Sequence, residues 1–131
     1  MNRRTLILTA AAIALAPLTA LAEMINYTPG TAEAAIADGD TVLVDFAATW
    51  CSTCRSQERT ITALREANPA YDEAITFYRV DWDDYGRGNL STSLNVPRRS
   101  TLILIRDGAE VARIVAGTRE ADIRALLDAG L

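Results

Sequence analysis

Apolar residues gather in two nearly unbroken runs, Val42 to Ala48 and Thr101 to Ile105, and only Asp45 interrupts the first. The first run, β-branched at its start and bounded by charge at Asp40, predicts a strand buried on both faces rather than a half-solvated one. The first strand is placed at Thr41–Ala48. After it, Ile61, Leu64 and Ala67 recur at helical spacing, which predicts a helix from about Cys51 to Ala67, stopped by Asn68 and Pro69. Ala74 to Trp82 returns to β-branched and aromatic residues and reads as another strand. Strand, helix, strand in that order implies a parallel pair with a crossover helix.

The flanking pattern is weaker. Met24–Tyr27 reads as a short opening strand, Pro29 and Gly30 as a turn, and Thr31 as the cap of a helix reaching Ala37, with Glu33 in its first turn and Gly39 and Asp40 at its end. The polar stretch Asp83–Asn95 holds one weakly signalled helix, Leu90–Leu94. Thr101–Ile105, the pair Asp107 and Gly108, and Val111–Val115 form a hairpin signal, so these two strands are expected to be antiparallel. Gly117 breaks the pattern. A closing helix over Arg119–Ala129 carries Ile123, Leu126 and Leu127 on one face.

Composition narrows what such a chain does. With 131 residues, half of them apolar, there is room for one domain with a real core. All 13 basic residues are arginine, there is no histidine, and the net charge of −4 gives no basic face for nucleic acid. Met1–Ala22 reads as a signal peptide: Asn2, Arg3 and Arg4 precede an apolar stretch, Leu6–Leu18, and Ala20, Leu21 and Ala22 supply a small-x-small cleavage pattern. An uncleaved membrane anchor is the alternative. Cleavage after Ala22 leaves a single domain, 23–131, of 109 residues with 11 arginines, 17 acids and a formal charge of −6.

The chain's only two cysteines, Cys51 and Cys54, fall where the central strand passes into the helix, in the run VLVDFAATWCSTCR. Unpaired N–H groups and the positive end of the helix dipole stabilise a thiolate there. A structural disulfide closing so short a loop removes only about 2 kcal/mol of unfolded-chain entropy. Zinc needs four ligands, and the chain offers two thiols and no imidazole. Redox chemistry is the favoured reading: Cys51 at the helix start attacks as thiolate, and Cys54, one turn further in, reaches its sulfur to resolve the mixed disulfide. Between them, Ser52 and Thr53 either tune the pair by donating to a thiolate or serve only as spacers.

The element order together with VDFAATWCSTC resembles the thioredoxin family over essentially all of Glu23–Leu131, and the tail from Thr101 through Asp107, Gly108 and Gly117 looks like that family's C-terminal half. Among exported members it is similar to periplasmic thioredoxin-like proteins and to the C-terminal domain of DsbD-type proteins, because Cys54 is followed by Arg55, Glu58 and Thr60 and a later segment reads LNV. The resemblance implies an α/β thioredoxin fold, a central mixed sheet of four to five strands flanked by helices on both faces. It implies no cofactor and no resident metal, only a redox-active Cys51–Cys54 disulfide.

Asp45 corresponds to the family's buried acid. Burial raises a carboxyl's pKa toward the range where it can accept the Cys54 proton; the alternative is a carboxylate facing water. Arg79 falls where the family often places a lysine near that acid, or else is a solvated strand-end charge. Trp50 either shields the sulfurs and offers substrate a flat contact, or is a core aromatic. Ungapped alignment of Asn95 and Val96 with Thr101 puts Ser100 where the family has a cis-proline opposite the cysteines, with Pro97 three residues early. A cis bond before a non-proline residue costs roughly 3 kcal/mol, so Arg99–Ser100 is expected to be trans unless the fold forces it. In the alternative alignment Pro97 is the cis-proline, followed by a longer loop. A serine facing the sulfurs stabilises the Cys51 thiolate and leaves the dithiol open to adventitious metal. Arg98 and Arg99 beside it either favour an acidic partner surface or are simply solvated. The expected substrate groove is therefore Trp50, Ser52, Thr53, Arg99, Ser100 and Thr101.

These readings converge on a periplasmic thiol-disulfide oxidoreductase, monomeric and without nucleic acid. Potentials of such dithiols run from about −270 mV in thioredoxin to about −120 mV in strong oxidants. Oxidants of this type usually carry a histidine between the cysteines and an inserted helical domain, both missing here. A reductant or electron carrier is expected, recharged by a membrane thiol reductase and serving oxidised periplasmic proteins such as apocytochromes. A periplasmic disulfide oxidant and a non-catalytic binding module with a permanent disulfide are the alternatives.

Overall fold

Every residue of the central strand is buried, and the rest of the chain is laid down on either side of it. The computed structural model of the chain describes residues 11–12 and 23–131. Its elements are β1 (Ile25–Asn26), α1 (Thr31–Ala37), β2 (Val42–Ala47), α2 (Ser52–Ala67), α3 (Ala70–Ala74), β3 (Thr76–Asp81), α4 (Trp82–Tyr85), α5 (Asn89–Ser93), β4 (Thr101–Arg106), β5 (Ala109–Val115) and α6 (Glu120–Asp128). Five strands form one mixed sheet in the order β1-β3-β2-β4-β5. β2 pairs parallel to β3 and antiparallel to β4, while β4 and β5 form the antiparallel hairpin.

Strand alternation divides the core between the two faces. Val42, Val44 and Phe46 join Tyr78, Val80, Ile103 and Ile105 under α1 and Leu90 of α5. Leu43 joins Phe77, Leu102 and Leu104 under α2 and α6, which contribute Ile61, Leu64, Ile123, Leu126 and Leu127. Asp45, between Leu43 and Ala47, has the parity of the second set, and it is in register with Arg79 on β3 and Leu102 on β4. At the hairpin tip Asp107 and Gly108 both have positive φ, 52° and 77°, the turn that the sequence signalled.

Several boundaries differ from the sequence expectation. The helix expected to begin at Thr31 through its hydroxyl is instead preceded by Gly30 at φ 91°, whose N–H donates to Glu33 Oε2 at 3.1 Å. Thr31 Oγ1 is turned back to the carbonyl of Thr28, 2.7 Å away. Asn68 and Pro69 do stop α2, but Pro69 also opens α3, which the sequence reading missed. Its anchors are Tyr71, which donates to Asp128 of α6, and the 2.6 Å ion pair between Asp72 and buried Arg65. Trp82, expected to end a strand, starts α4 because the Asp81 carboxylate accepts from Asp83 N at 2.9 Å and caps it. The expected signal segment lies outside the described residues apart from residues 11–12. Among the described residues, no helix is long and apolar enough to cross a membrane.

Just past β5, Ala116 is held at φ 61° while its N–H donates to Ser100 O at 2.8 Å. A left-handed conformation costs a residue with a Cβ about 1–2 kcal/mol, partly offset by glycine's greater freedom in the unfolded chain. Ala116→Gly is therefore expected to stabilise the domain by about 0.5–1 kcal/mol, read as a higher urea midpoint at unchanged slope. An unchanged or lower midpoint would refute the strain.

Candidate active site

β2 delivers the chain into a turn, Ala48 to Trp50, from which α2 departs. Cys51 is not the first helical residue but its N-cap, at φ −90° and ψ 113°, and Cys51 Sγ accepts from Cys54 N at 3.2 Å. A thiol thus takes the place that a serine or aspartate oxygen usually fills. Both cysteines are free thiols, 3% and 0% exposed. Burial pushes the Cys51 thiol up, but hydrogen bonds from the Cys54 thiol, the Ser100 hydroxyl, the Cys54 N–H and Arg99 outweigh it and bring it from 9.0 down to about 7. The Cys54 thiol moves the other way, raised by burial and then by its hydrogen bond to Cys51. Two chemically identical groups are thereby made unequal.

Opposite them lies the residue before β4. The Ser100 side chain has no exposure, and its Oγ lies 3.1 Å from Cys51 Sγ and 3.1 Å from Cys54 Sγ. Its φ is 62° and its peptide to Arg99 is trans. Pro97 is exposed. The ungapped alignment is thus the one the chain adopts, and the reading of Pro97 as a cis-proline is not. Ser100 N donates to Phe46 O at 2.7 Å, and Ser100 O accepts from Ala116 N and, at 3.0 Å, from Gln57 Nε2. Gln57 also donates to Gly117 O at 2.9 Å and is fully buried. The sequence reading passed over Gln57. The available signal was its place three residues after Cys54 and four before Ile61, a polar side chain on the apolar face of α2.

Asp45 is completely buried, and neither carboxyl oxygen has a hydrogen-bond partner among the described residues. Burial first, then the negative charge of Glu58, raise its pKa from 3.8 to about 7; Arg79 pulls it down and Cys51 pushes it up. The Arg79 guanidinium is shared with Glu58 at 2.6 Å, which limits what it gives Asp45. Arg79 is therefore a paired strand residue at the acid's side, not a solvated charge.

The remaining groove residues separate. Trp50 is 56% exposed rather than a core aromatic; its Nε1 donates to Asp83 Oδ2 at 2.9 Å, and the Arg99 guanidinium lies 4.4 Å above its ring. Ser52 is exposed and Thr53 half-buried, and neither hydroxyl contacts a sulfur; that part is taken by Ser100. Thr101, expected in the groove, is instead fully buried and donates its hydroxyl to Arg98 O at 2.7 Å, so it holds the loop rather than facing a substrate. Arg98 is exposed. Among the described residues no three His, Cys, Asp or Glu side chains are placed to hold a metal. The redox group is the chain's own cysteine pair.

Comparison with known proteins agrees with this geometry. The thioredoxin family profile matches residues 23–129. Thioredoxin of Echinococcus granulosus is 33% identical over 107 residues, 81% of this chain and 94% of that one. Thioredoxin-1 of Saccharomyces cerevisiae is 35% identical over 89 residues, 68% of this chain and 81% of that one. Among solved structures, Trxlp from Edwardsiella tarda is 35% identical with a TM-score of 0.66, covering 81% of this chain and 96% of its own. The fold, the Cys51 and Cys54 pair and these matches establish that the chain belongs to the thioredoxin family and is a thiol-disulfide oxidoreductase.

Proposed function

We propose that the protein is an exported periplasmic reductant or electron carrier, in which Cys51 attacks a partner's disulfide and Cys54 resolves the mixed disulfide. The observation that carries this reading is the inequality of the two thiols: Cys51 drawn down to about 7 at the cap of α2, and Cys54 raised beneath it. An attacking thiol is most effective when its pKa is near ambient pH. A Cys51 near 7 also sits with thioredoxin, at about 7, and far from the strong oxidant DsbA, at about 3.5, whose thiolate is so stable that its disulfide is readily reduced. Export rests on the sequence of Met1–Ala22, and a membrane thiol reductase would recharge the pair.

Electrons and atoms follow directly. Cys51 thiolate attacks one sulfur of the partner, the partner's S–S bond breaks, and the second partner sulfur leaves as thiolate and takes a proton from water. Cys54 then gives its proton to the Asp45 carboxylate and attacks Cys51 Sγ. The bond between Cys51 Sγ and the first partner sulfur breaks, that sulfur leaves as thiolate and takes a proton from water, and the chain is left as the Cys51–Cys54 disulfide. Asp45 suits the part because burial has brought it to about 7, where it exchanges protons readily at neutral pH. Exposed Trp50 and the half-buried Arg99 stacked on its ring form the contact surface beside Cys51.

Equilibrating the domain 23–131 with dithiothreitol and glutathione buffers, with thiols trapped by alkylation, is expected to give a potential near about −270 mV. A value near about −120 mV would sink the reductant reading. Full-length Cys54→Ala, expressed in a Gram-negative host, should accumulate mixed disulfides through Cys51 in the periplasmic fraction, on a chain whose first residue is Glu23. Recovery of the uncleaved chain in the cytosol would overturn export.

Asp45 gives a signed pH dependence. Its pKa is raised on folding, so the folded state binds the proton more tightly than the unfolded chain. The folded state therefore bears no ionisation penalty below the unfolded value of 3.8, and stability falls as pH rises toward about 7. Asp45→Asn is expected to abolish that slope and to raise stability by a few kcal/mol at pH values above the folded pKa. It should also slow resolution of the mixed disulfide roughly a hundredfold at neutral pH, the low end of what a positioned base supplies. A variant that resolves at the wild-type rate would remove Asp45 from the proton transfer.

A further inference from the structure

The position that holds an apolar ring in the family's usual pattern here holds a hydroxyl placed 3.1 Å from both sulfurs at once. A hydroxyl has one proton to donate and lone pairs with which to accept. With Cys51 as thiolate and Cys54 as thiol, one arrangement satisfies both contacts: Ser100 O–H donates to Cys51 Sγ, and the Cys54 S–H donates to Ser100 Oγ. Once Cys51 is bonded to a partner's sulfur it carries no charge, and the O–H has lost its strong acceptor. Cys54 must ionise at just that moment, in a site with no solvent exposure. Besides the Ala48 backbone, the Ser100 hydroxyl is the hydrogen-bonding group beside it that is not itself a reacting sulfur.

We propose that the Ser100 hydroxyl is a catalytic switching donor, which holds the Cys51 thiolate in the reduced state and turns to Cys54 Sγ when the mixed disulfide forms. The turn is a rotation about the Cβ–Oγ bond with no displacement of the oxygen. The backbone can keep the oxygen there because it is tied on both sides: Ser100 N to Phe46 O, and Ser100 O to Ala116 N and Gln57 Nε2. The hydroxyl proton is never transferred. In the first step the Cys51 electron pair forms the bond to the partner's sulfur. In the second, the Cys54 proton goes to Asp45 and the Cys54 electron pair goes to Cys51 Sγ, with Ser100 donating to Cys54 as charge develops on it. Asp45 from β2 and Arg99 from the loop before β4 are the charged groups that act on the pair, Glu58 from α2 and Arg79 from β3 act in turn on Asp45, and the switch leaves all of them in place.

The inference rests on the proposed roles of Cys51 and Cys54, and its test separates the two. Ser100→Ala and Ser100→Gly both remove the hydroxyl, and glycine adopts φ 62° without strain, so at least one variant keeps the loop in place; thermal unfolding verifies that each is folded. The reduced wild type and both variants are mixed with excess dithiobis-nitrobenzoate, whose coloured thiolate is released once on attack by Cys51 and again on resolution by Cys54. Both phases are expected to slow on the order of tenfold in both variants, consistent with loss of a hydrogen bond to a charged group. The pH midpoint of the attack phase is expected to rise above its wild-type position. A slowed attack with unchanged resolution would make Ser100 a static donor and overturn the switch, as would two unchanged phases. If limiting iodoacetamide alkylates wild-type Cys54 ahead of Cys51, the underlying roles fail and the switch fails with them. Normal alkylation with unaltered Ser100→Gly kinetics sinks the switch alone.

Discussion

One hydrogen bond, from Ser100 N to Phe46 O at 2.7 Å, joins the two halves of this active site. Phe46 belongs to the strand that delivers Cys51; Ser100 begins the segment that closes over it. The bond lies at the end of the antiparallel β2–β4 ladder and returns to Phe46, the same β2 residue that pairs with Thr101. It therefore fixes the height of Ser100 against the sulfurs by the same register that packs Leu43, Leu102 and Leu104 into the core. A slip of one residue in that register would turn Asp45 to the other face and carry the serine away from the thiols. The fold and the chemistry are specified by one pairing, and the left-handed backbone at Ser100 persists because Ala116 and Gln57 hold its carbonyl as well.

Much of this was legible in the sequence, and the limits have physical causes. The central strand, the long helix, the hairpin and the closing helix could be read because each has a long apolar period or a turn whose residues demand positive φ. The order of elements and the two cysteines were enough to identify the family. The short helices were harder. α3 and α4 are four or five residues held by an ion pair and by a side-chain cap, tertiary or local polar contacts with no hydrophobic period of their own. Thr31 failed as a cap because glycine before it adopts the left-handed conformation that lets Glu33 close the helix start from the inside.

Within the site, position was readable and orientation was not. Counting residues back from Thr101 put Ser100 opposite the cysteines, and the structure places it there. No count could show that its hydroxyl meets both sulfurs while those of Ser52 and Thr53 meet neither, because that depends on which way α2 turns after its cap. Gln57 escaped for a related reason: a lone polar residue on an apolar helical face has no partner until β5 brings Gly117 beside it. Trp50 is the opposite case. The sequence left it between core and surface, and the Asp83 carboxylate decides the matter by holding the indole N–H outside the core.

The site also shows why burial and hydrogen bonding must be set against each other. Cys51 buried without donors would be a poor thiolate, since desolvation alone raises a thiol. Cys51 with the same donors but in water would be a better leaving group and a weaker nucleophile, because nucleophilicity falls as pKa falls. Burial raises the thiol, donors from the helix start, Ser100 and Arg99 lower it, and the result near 7 comes from their difference. Cys54, one turn deeper, feels the burial more than the donors and stays protonated until its turn comes. Deeper burial and weaker help from donors at Cys54 than at Cys51 thus draw the two thiols apart along the first turn of α2.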